Sequence, residues 1–500
     1  MNYNLSRPLD VHRWSEYPEI NTSINLIYDN YFKWQNPYLV KKHIKVVLLD
    51  LYVAWTEHQD MKLGVHMYRN AYKTKSRYNE LHISQKTIDV VKRLKEVGLI
   101  NLTNGFYDPT GFQSRITRIW STKKLINQFK ITKMKKHKII NNSNRETIIL
   151  RNEYKKNIEY IDNEKSIKMR ASLKEYNDLL SKTFIDIPEL DKPLINYKEK
   201  YIPISSNDCF ITRIFNNSRW SNGGRFYGGW WQRIPSFYRS KIYINDEPTI
   251  EDDYKSLHPI LLYAKKGLDY NKLNRGDAYD INIPQMNSKD DSRKLVKRLM
   301  LIAINAKDEP STFRALKNEL QDQLPNYSFN FKELRSILNK IKEKHIEIAD
   351  DFCSGKGLLL MNIDGQITEY IINKFTQNNI PVLCIHDSFI VSYKHDNYLR
   401  KIMTEAIFNI SQVDLPSIDR NGIGLTQLNS TKYLDRDYYL ENIKNLSKQN
   451  QNKSNGYIYI ENIHVCIYIY TVFKRILSKK SSARPAQDTS RKRVDGRKAA

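Results

Sequence analysis

The chain has 500 residues, enough for two to four domains, and its 81 Lys and Arg against 55 Asp and Glu give a net charge of +26. A surplus of this size points to a polyanionic partner, nucleic acid first and an acidic membrane surface second. A hydrophobic content of 40%, with 33 Tyr and 7 Trp, excludes wholesale disorder. The four cysteines form no CxxC pair, which argues against a zinc knuckle and a disulfide scaffold and favours a cytoplasmic protein.

Residues 1–130 are predicted to form a small helical domain that ends in a hairpin. An apolar pattern with helical spacing covers residues 43–57, and a second amphipathic helix is predicted from Ser84, as its N-cap, to Gly98. A strand starts directly after Gly98, a turn is predicted at 104–105, and residues 114–122 alternate as the second strand. Helix, capped helix and hairpin in this order resemble a winged helix-turn-helix domain.

The resemblance implies DNA binding, because the capped helix of such domains enters the major groove with its N-terminal residues at base edges. The alternative is a small structural module whose charges are merely solvated. The side chains expected to face DNA are Gln85, Lys86, Lys92, Arg93, Arg115 and Arg118.

Two further segments contain no candidate catalytic residues. Residues 131–200 are rich in Lys, Asn and Glu and are predicted to form a helical linker. Residues 446–500 turn polar, pass through a β-rich patch at 457–473 and end in a basic tail that is predicted to be disordered. The patch contains Glu461 and His464, so no membrane span is predicted.

Two acidic residues follow apolar strands in the central region, residues 201–445. Asp253 follows the strand-like segment PTIED, and Asp387 lies in the turn of PVLCIHDSFIV. Carboxylates after two neighbouring strands can hold two divalent ions, one activating a 3′-hydroxyl and both stabilising in-line displacement at an α-phosphate. Such oxygen ligands suit Mg²⁺, with Mn²⁺ as the alternative ion. Asp252 adjoins Asp253 and is an alternative ligand.

A predicted cationic helix lies between the two carboxylates in the chain. In the segment SRKLVKRLMLIAINAK, Arg293, Lys297 and Asn305 lie at multiples of four residues and share one helical face. Arg and Lys one turn apart can bind the β- and γ-phosphates of a nucleotide and neutralise developing charge. The segment therefore predicts a triphosphate-binding helix.

Four segments together resemble, in order, the motifs of right-hand palm polymerases. The segment from Asp253, DYKSLHP, is similar to motif A of DNA polymerases of families A and B. Residues 293–305 resemble motif B of family A enzymes and of phage-type single-subunit RNA polymerases, and IHDSF resembles motif C of the latter. Gly224-Arg225, followed by Ile234-Pro235, is similar to the family A motif that holds the primer–template backbone.

The resemblance implies an α+β fold, with a palm and fingers polymerase core at 201–445 and the winged-helix domain before it. Residues 131–200 are then a helical linker or a short thumb. The implied activity is template-directed DNA synthesis with two Mg²⁺ ions, DNA template and primer, and nucleoside triphosphates, serving a phage, plasmid or integrated element. The sequence identifies no protein partner. The alternatives are a single-subunit RNA polymerase or primase-like polymerase, and a DNA-binding replication initiator with an inactive palm.

The resemblance also assigns roles to individual residues. It gives catalytic roles to Asp253, Asp387 and His386, with the two aspartates as metal ligands. It gives nucleotide contacts to Tyr254, His258, Arg293, Lys297 and Asn305. It gives nucleic-acid contacts to Arg225, Arg233 and Gln366.

Two departures from the family pattern bear on substrate choice. Motif B normally has Tyr near the position of Asn305, so the ring that stacks on the templating base is absent there. His258, five residues after Asp253, is bulky enough to crowd a ribose 2′-hydroxyl, which favours deoxynucleotides. The aromatic residues near Arg225 are predicted either to form core or to stack on unpaired bases. These are Phe226, Tyr227, Trp230 and Trp231.

Overall fold

The computed structural model describes residues 5–109, 114–141, 144–198, 200–286, 288–324, 326–414 and 416–421. These residues form a mixed α+β fold, as predicted. None of the helices in these ranges combines the length and the apolar character that crossing a bilayer requires. The predicted β-rich patch at 457–473 and the basic tail lie outside the described residues.

The helices and strands divide between two hydrophobic cores. The helices are α1 (Pro18–Tyr31), α2 (Pro37–Glu57), α3 (Lys86–Glu96), α4 (Lys123–Ile131), α5 (Glu164–Ser181), α6 (Ser236–Arg239), α7 (Leu257–Lys265), α8 (Lys289–Asn305), α9 (Glu309–Gln323), α10 (Phe331–Lys344), α11 (Gly357–Gln377) and α12 (Asp396–Ser411). The strands are β1 (Ser6–Pro8), β2 (Arg13–Trp14), β3 (Lys62–Val65), β4 (Ile100–Thr103), β5 (Thr117–Ser121), β6 (Ile140–Asn141), β7 (Ile148–Leu150), β8 (Ile185–Asp186), β9 (Leu194–Tyr197), β10 (Lys200–Pro203), β11 (Thr212–Asn216), β12 (Arg219–Tyr227), β13 (Tyr243–Ile244), β14 (Glu247–Tyr254), β15 (Leu383–Ile385), β16 (Ser388–Ser392) and β17 (Ile418–Asn421).

The smaller core belongs to the N-terminal module, residues 5–141. Its four-stranded sheet has the order β1-β3-β5-β4, with β4 and β5 as an antiparallel hairpin and β1 parallel to β3. Helix α2 starts earlier than predicted, because Pro37 opens its first turn and the Asn36 side chain accepts a hydrogen bond from the Leu39 amide. Its buried residues lie on every side, so the helix is the centre of this core.

Helix α3 and the hairpin occur where the sequence predicts them. The apolar stripe of α3 is buried, and Gly98, with φ +72°, ends the helix. The predicted N-cap is one residue off: Gln85 occupies the cap position, while the Ser84 hydroxyl accepts from the Lys86 amide at 3.2 Å and contacts His43 Nε2 at 3.0 Å. The element order matches the prediction, and the assignment as a winged helix stays a prediction.

The larger core spans residues 148–413 and contains the chemistry-bearing segments. Its main sheet has the order β15-β16-β14-β13-β8, and β17 pairs with β14. Part of the segment predicted as a linker packs into this core: β7 pairs in parallel with β11, and the Tyr176 hydroxyl of α5 donates to the Val382 carbonyl at 2.5 Å. The site described below therefore rests on residues from across the chain.

Strand β12 and helix α11 approach so closely that only glycine fits between them. A Cβ on Gly365 would stand 2.3 Å from the Gly224 carbonyl oxygen. Gly224 itself has φ +93°, a conformation that side-chain-bearing residues rarely adopt. This approach fixes the two neighbouring residues, Arg225 and Asp364, within contact distance of each other.

Candidate active site

Asp253 and Asp387 lie at the same end of two paired strands. In the antiparallel pair of β14 and β16, Asp253 stands opposite Ser388, and the Tyr254 amide donates to the Asp387 carbonyl at 3.3 Å. The turn between β15 and β16 is made by His386, with φ +57°, and Asp387. The predicted strand–turn–strand of the sequence is thus present and places the two carboxylates side by side.

The electrostatics of this pair fit a divalent cation. Burial and the neighbouring charge of Asp387 raise the pKa of Asp253 to about 8, and Lys297 acts in the opposite direction. Asp253 Oδ1 is buried and has no hydrogen-bond partner among the described residues. No group of three metal-ligating side chains occurs in the described ranges. Mg²⁺ commonly uses one or two protein carboxylates and completes its coordination with water and substrate phosphate, which a pair of carboxylates fits.

Asp252, the alternative ligand, is directed away from Asp387. Successive side chains of a strand point to opposite faces, and Asp252 is fully buried on the other face, where Oδ1 lies 3.1 Å from Arg400 Nη2. Glu251 shares the face of Asp253, accepts from the Ser388 hydroxyl at 2.7 Å and pairs with Arg239 at 3.0 Å. The sequence analysis missed Glu251, although its spacing of two residues from Asp253 is the signal for a shared face.

Arg225 is held between a carboxylate and a histidine. Its Nε lies 2.5 Å from Asp364 Oδ2, and its Nη2 lies 3.0 Å from His258 Nε2. Burial raises the pKa of Asp364 to about 6, against the opposing effect of Arg225. Arg225 lies within strand β12, and its mostly buried guanidinium contacts two other residues of the site.

Two histidines face this group, His258 buried and His386 half-buried. Burial, reinforced by the positive charge of Arg225, lowers the pKa of His258 and that of His386 to about 4, so both rings are neutral near neutral pH. Nδ1 of each ring has no hydrogen-bond partner among the described residues. The Tyr227 ring packs edge-on against His386 at 5.4 Å between centroids. The predicted residues His258 and His386 therefore lie in one pocket with Asp387 and Arg225.

Helix α8 brings one cation of its predicted cationic face, Lys297, near the carboxylate pair. Lys297 acts electrostatically on Asp253, and Arg293 Nε pairs with Asp277 Oδ2 at 2.7 Å. Both cations lie near the ring of Tyr279, at 5.4 Å from the Arg293 guanidinium carbon and 5.9 Å from Lys297 Nζ.

The sequence analysis missed Asp277 and Tyr279, which lie in the loop before α8. Tyr279 is buried and shares a hydrogen bond with Ser256, and burial raises the pKa of its hydroxyl to about 12. The short segment DAY offered no helical or strand periodicity that would have singled it out. Only its packing against α8 connects it to the site.

Four residues with predicted nucleotide or nucleic-acid contacts make other contacts in the structure. The prediction of a nucleotide contact for Tyr254 is wrong in this structure, because the side chain is buried and its hydroxyl donates to the Met403 carbonyl at 2.5 Å. Arg233 is exposed and pairs with Asp208 at 2.6 Å. Asn305, at the end of α8, donates to the Leu301 carbonyl at 2.7 Å, and Gln366 donates to Asn362 Oδ1 at 2.9 Å. The last two contacts lie within single helices and leave their assigned roles untested.

The aromatic residues near Arg225 belong mainly to the core. Phe226, Trp230 and Trp231 are buried, whereas Tyr227 is exposed beside His386. The core interpretation therefore holds for three of these rings, and the stacking interpretation is left only for Tyr227.

The predicted DNA-facing residues do not form one uniform surface. Lys86 pairs with Asp89 at 3.0 Å, and Arg93 donates to the Tyr31 carbonyl of α1 at 2.8 Å. Gln85 and Lys92 are exposed on α3. The remaining two residues, Arg115 and Arg118, belong to the hairpin and lie close enough to interact electrostatically. Entry of α3 into a DNA groove stays a prediction.

No protein-family model matches the sequence, and neither does any curated protein. Among solved structures, the POL domain of Pol1 from M. smegmatis, in complex with DNA primer-template and dNTP, aligns with 82% of this chain and 66% of its own, at 11% identity and a TM-score of 0.26. The chain thus spans about two thirds of that domain. A likeness at this score establishes neither fold nor activity.

Proposed function

We propose that the chain is a template-directed DNA polymerase that adds nucleotides to a 3′-hydroxyl. The observation that carries the proposal is the convergence of Asp253 and Asp387 at one end of β14 and β16, opposite Lys297 of the cationic helix α8. Paired carboxylates facing a cationic helix are what nucleotidyl transfer from a triphosphate requires.

Each residue of the site has a role in this reaction. Asp253 and Asp387 would hold two Mg²⁺ ions, which activate the 3′-hydroxyl and stabilise the displacement when bound. Lys297 and Arg293 bind the triphosphate, and Arg293 exchanges Asp277 for a phosphate oxygen. The 3′-oxygen forms a bond to the α-phosphorus while the bond to the leaving pyrophosphate breaks.

The pocket favours deoxynucleotides. His258 is buried, neutral and fixed by Arg225, so its ring cannot easily move aside for a ribose 2′-hydroxyl. An RNA polymerase or a primase-like polymerase is the alternative enzyme, since the segments of α8 and the β15–β16 turn resemble phage-type enzymes. Service to a phage, plasmid or integrated element stays a prediction.

The first test is extension of a labelled primer on a DNA template with Mg²⁺, with deoxynucleotides and ribonucleotides in parallel. Asp253→Asn and Asp387→Asn should each reduce the rate by at least about 1,000-fold, because each removes a charged metal ligand. Asp252→Asn is the matched control: it makes the same chemical change on the opposite face of β14 and should retain most of the activity. Equal loss in all three variants would contradict the assigned ligands.

A second readout does not depend on activity. Mg²⁺ should raise the melting temperature of the natural protein by binding the folded state, and this shift should disappear in Asp387→Asn. Extension with ribonucleotides alone would favour the RNA polymerase. No extension and no Mg²⁺-dependent shift, with DNA binding intact, would favour the initiator with an inactive palm.

A further inference from the structure

Two adjoining cavities run across the N-terminal module. One, of about 930 Å³, is lined by Pro8, residues 71–76 and residues 157–159, and the other, of about 530 Å³, is lined by residues 105–107 and 114–117 of the β4–β5 hairpin. Both are also lined by Val65 and His66, so they form one continuous depression, here named the N-terminal groove. It extends from the hairpin to the segment that leads into α5.

The hairpin end of the N-terminal groove carries exposed aromatic rings. Tyr68, Phe106 and Tyr107 all line it, and all three are exposed. Large rings gathered on one exposed surface mark an interaction site. Such rings stack on unpaired bases of a single strand, whose faces a duplex conceals.

The charges along the N-terminal groove favour a polyanion. Lys73 and Lys75 line the first cavity with exposed side chains, and the Arg115 guanidinium lies 5.2 Å from the centre of the Phe106 ring in the second. Among the described residues that line either cavity, Glu159 is the single carboxylate. It already accepts from the Ser76 hydroxyl at 2.6 Å. Positive charge together with exposed rings is typical of grooves that bind a single strand of nucleic acid.

The far end of the N-terminal groove leads toward the candidate active site. Asn157 there accepts a hydrogen bond from Arg151 at 3.2 Å. Arg151 acts electrostatically on Tyr227, whose ring contacts that of His386. Arg151 therefore lies between this end of the groove and Tyr227, which borders the turn that contains Asp387.

We propose that the N-terminal groove binds a single strand of nucleic acid and that this strand is the unpaired template passing to Asp253 and Asp387. The proposal that the N-terminal groove binds a single strand depends only on the residues of the groove. The identification of that strand as the template rests on the proposed function. The groove is distinct from the exposed face of α3, for which duplex binding is predicted.

The test measures fluorescence anisotropy of the full chain with labelled oligothymidylate and oligouridylate of about 20 nucleotides, and with a duplex of the same length. Tyr68→Ser combined with Tyr107→Ser should weaken single-strand binding at least about tenfold, because each lost stack removes base–ring contact. Lys73→Glu with Lys75→Glu should also reduce the slope of log affinity against log salt by about 1.4, since each lysine contributes about 0.7 on single strands. The two oligonucleotides decide between DNA and RNA as the natural strand.

Matched variants in the same module serve as controls. Tyr38→Ser removes a tyrosine that is 80% exposed, comparable to Tyr107 at 82%, and Lys123→Glu with Lys130→Glu reverses two exposed charges on α4. These controls should bind single strands as the natural protein does. Equal losses in controls and groove variants would overturn the proposal, as would unchanged single-strand affinity in the groove variants. Equal losses for single strand and duplex would overturn the single-strand assignment.

The proposed function and the N-terminal groove can fail separately. If the natural protein extends no primer while the groove variants still lose single-strand affinity, the polymerase assignment fails and the groove stands. If extension is normal and the groove variants bind normally, the groove alone fails.

Discussion

At the scale of single residues, Tyr279 connects the cationic helix with the carboxylate pair. Its ring lies near both Arg293 and Lys297, and its hydroxyl shares a hydrogen bond with Ser256 just after β14. Tyr279→Leu should raise the KM for nucleotide by about 3- to 30-fold with a smaller change in kcat, since cation–ring contacts contribute about 0.5–2 kcal/mol to placing those cations. Steady-state primer extension measures both constants.

Tyr279→Phe is the control for this prediction. It keeps the ring below Arg293 and Lys297 and removes only the hydroxyl, so the KM should stay near the natural value. Equal increases in KM for the Phe and Leu variants would assign the effect to the hydrogen bond with Ser256. A lowered melting temperature without a change in KM would leave Tyr279 a purely structural residue.

At the scale of elements, the contact between α11 and β12 depends on the absence of one side chain. Alanine normally stabilises a helix interior relative to glycine by about 1 kcal/mol. Gly365→Ala should instead lower the free energy of unfolding by about 2–4 kcal/mol, because its Cβ would collide with the Gly224 carbonyl. Urea denaturation measures the change.

Gly357→Ala in the same helix is the matched comparison. A Cβ there would lie 1.8 Å from Asn305 Oδ1, 2.4 Å from its Cγ and 3.2 Å from its Cα. The Asn305 side chain can change rotamer, whereas the Gly224 backbone cannot move aside, so the cost should be smaller than for Gly365→Ala. A larger loss for Gly357→Ala than for Gly365→Ala would contradict the account of this contact.

The loop that carries Asp277 and Tyr279 is fastened by a buried histidine. His345 Nε2 donates to the Ala278 carbonyl at 2.9 Å, and Nδ1 accepts from the Tyr263 hydroxyl at 3.0 Å. Burial lowers the pKa of His345, and the nearby charges are Lys344, Arg275 and Glu347. The unfolded chain therefore takes up this proton at a higher pH than the folded chain, and the contribution of His345 to stability falls as the pH decreases below about 6.5.

His345→Gln should reduce the free energy of unfolding by about 1–3 kcal/mol near neutral pH, because the buried contact of His345 with the Ala278 carbonyl is disturbed. The Tyr263 hydroxyl can still donate to Glu347 Oε2, at 3.2 Å. The difference between the natural protein and the variant should shrink as the pH is lowered from about 7 to about 5. Urea denaturation across this range measures it. A difference that stays constant would show that His345 does not titrate on unfolding.

At the scale of the whole molecule, Arg77 joins the N-terminal module to the larger core. Its guanidinium lies 3.6 Å from the centre of the Tyr160 ring, 2.9 Å from Asp162 and 3.5 Å from Glu146. Arg77→Ala should reduce the free energy of unfolding by about 1–2 kcal/mol, because Glu146 and Asp162 each lose one of two arginine partners and keep only Arg170. Urea denaturation and proteolysis of the 152–162 segment measure the loss.

Arg77→Lys is the comparison for this contact. Lysine keeps the charge but cannot stack flat on Tyr160 and pair with two carboxylates at once, so an intermediate loss is expected. Full stability in Arg77→Lys would show that charge alone holds the modules together. No loss in Arg77→Ala would contradict the docking role of this residue.

The sequence by itself determined the local elements and the order of the chemical groups. Helical spacing located α3 and placed Arg293 and Lys297 on one face of α8, and strand patterns located the β15–β16 turn that contains Asp387. These features were predictable because periodicity is a property of neighbouring residues along the chain. The net charge of +26 predicts a polyanionic partner, which stays a prediction.

Only the tertiary structure decided which groups meet. The alternation along β14 separates Asp252 from Asp253, but the pairing with β16 decides that Asp253 is the one beside Asp387. Tyr279 and Asp364 join the site through packing against α8 and β12, and the burial of Tyr254 removes it from the nucleotide. These outcomes depend on contacts between residues that are distant in the chain. Local sequence patterns do not predict the free energies of such contacts.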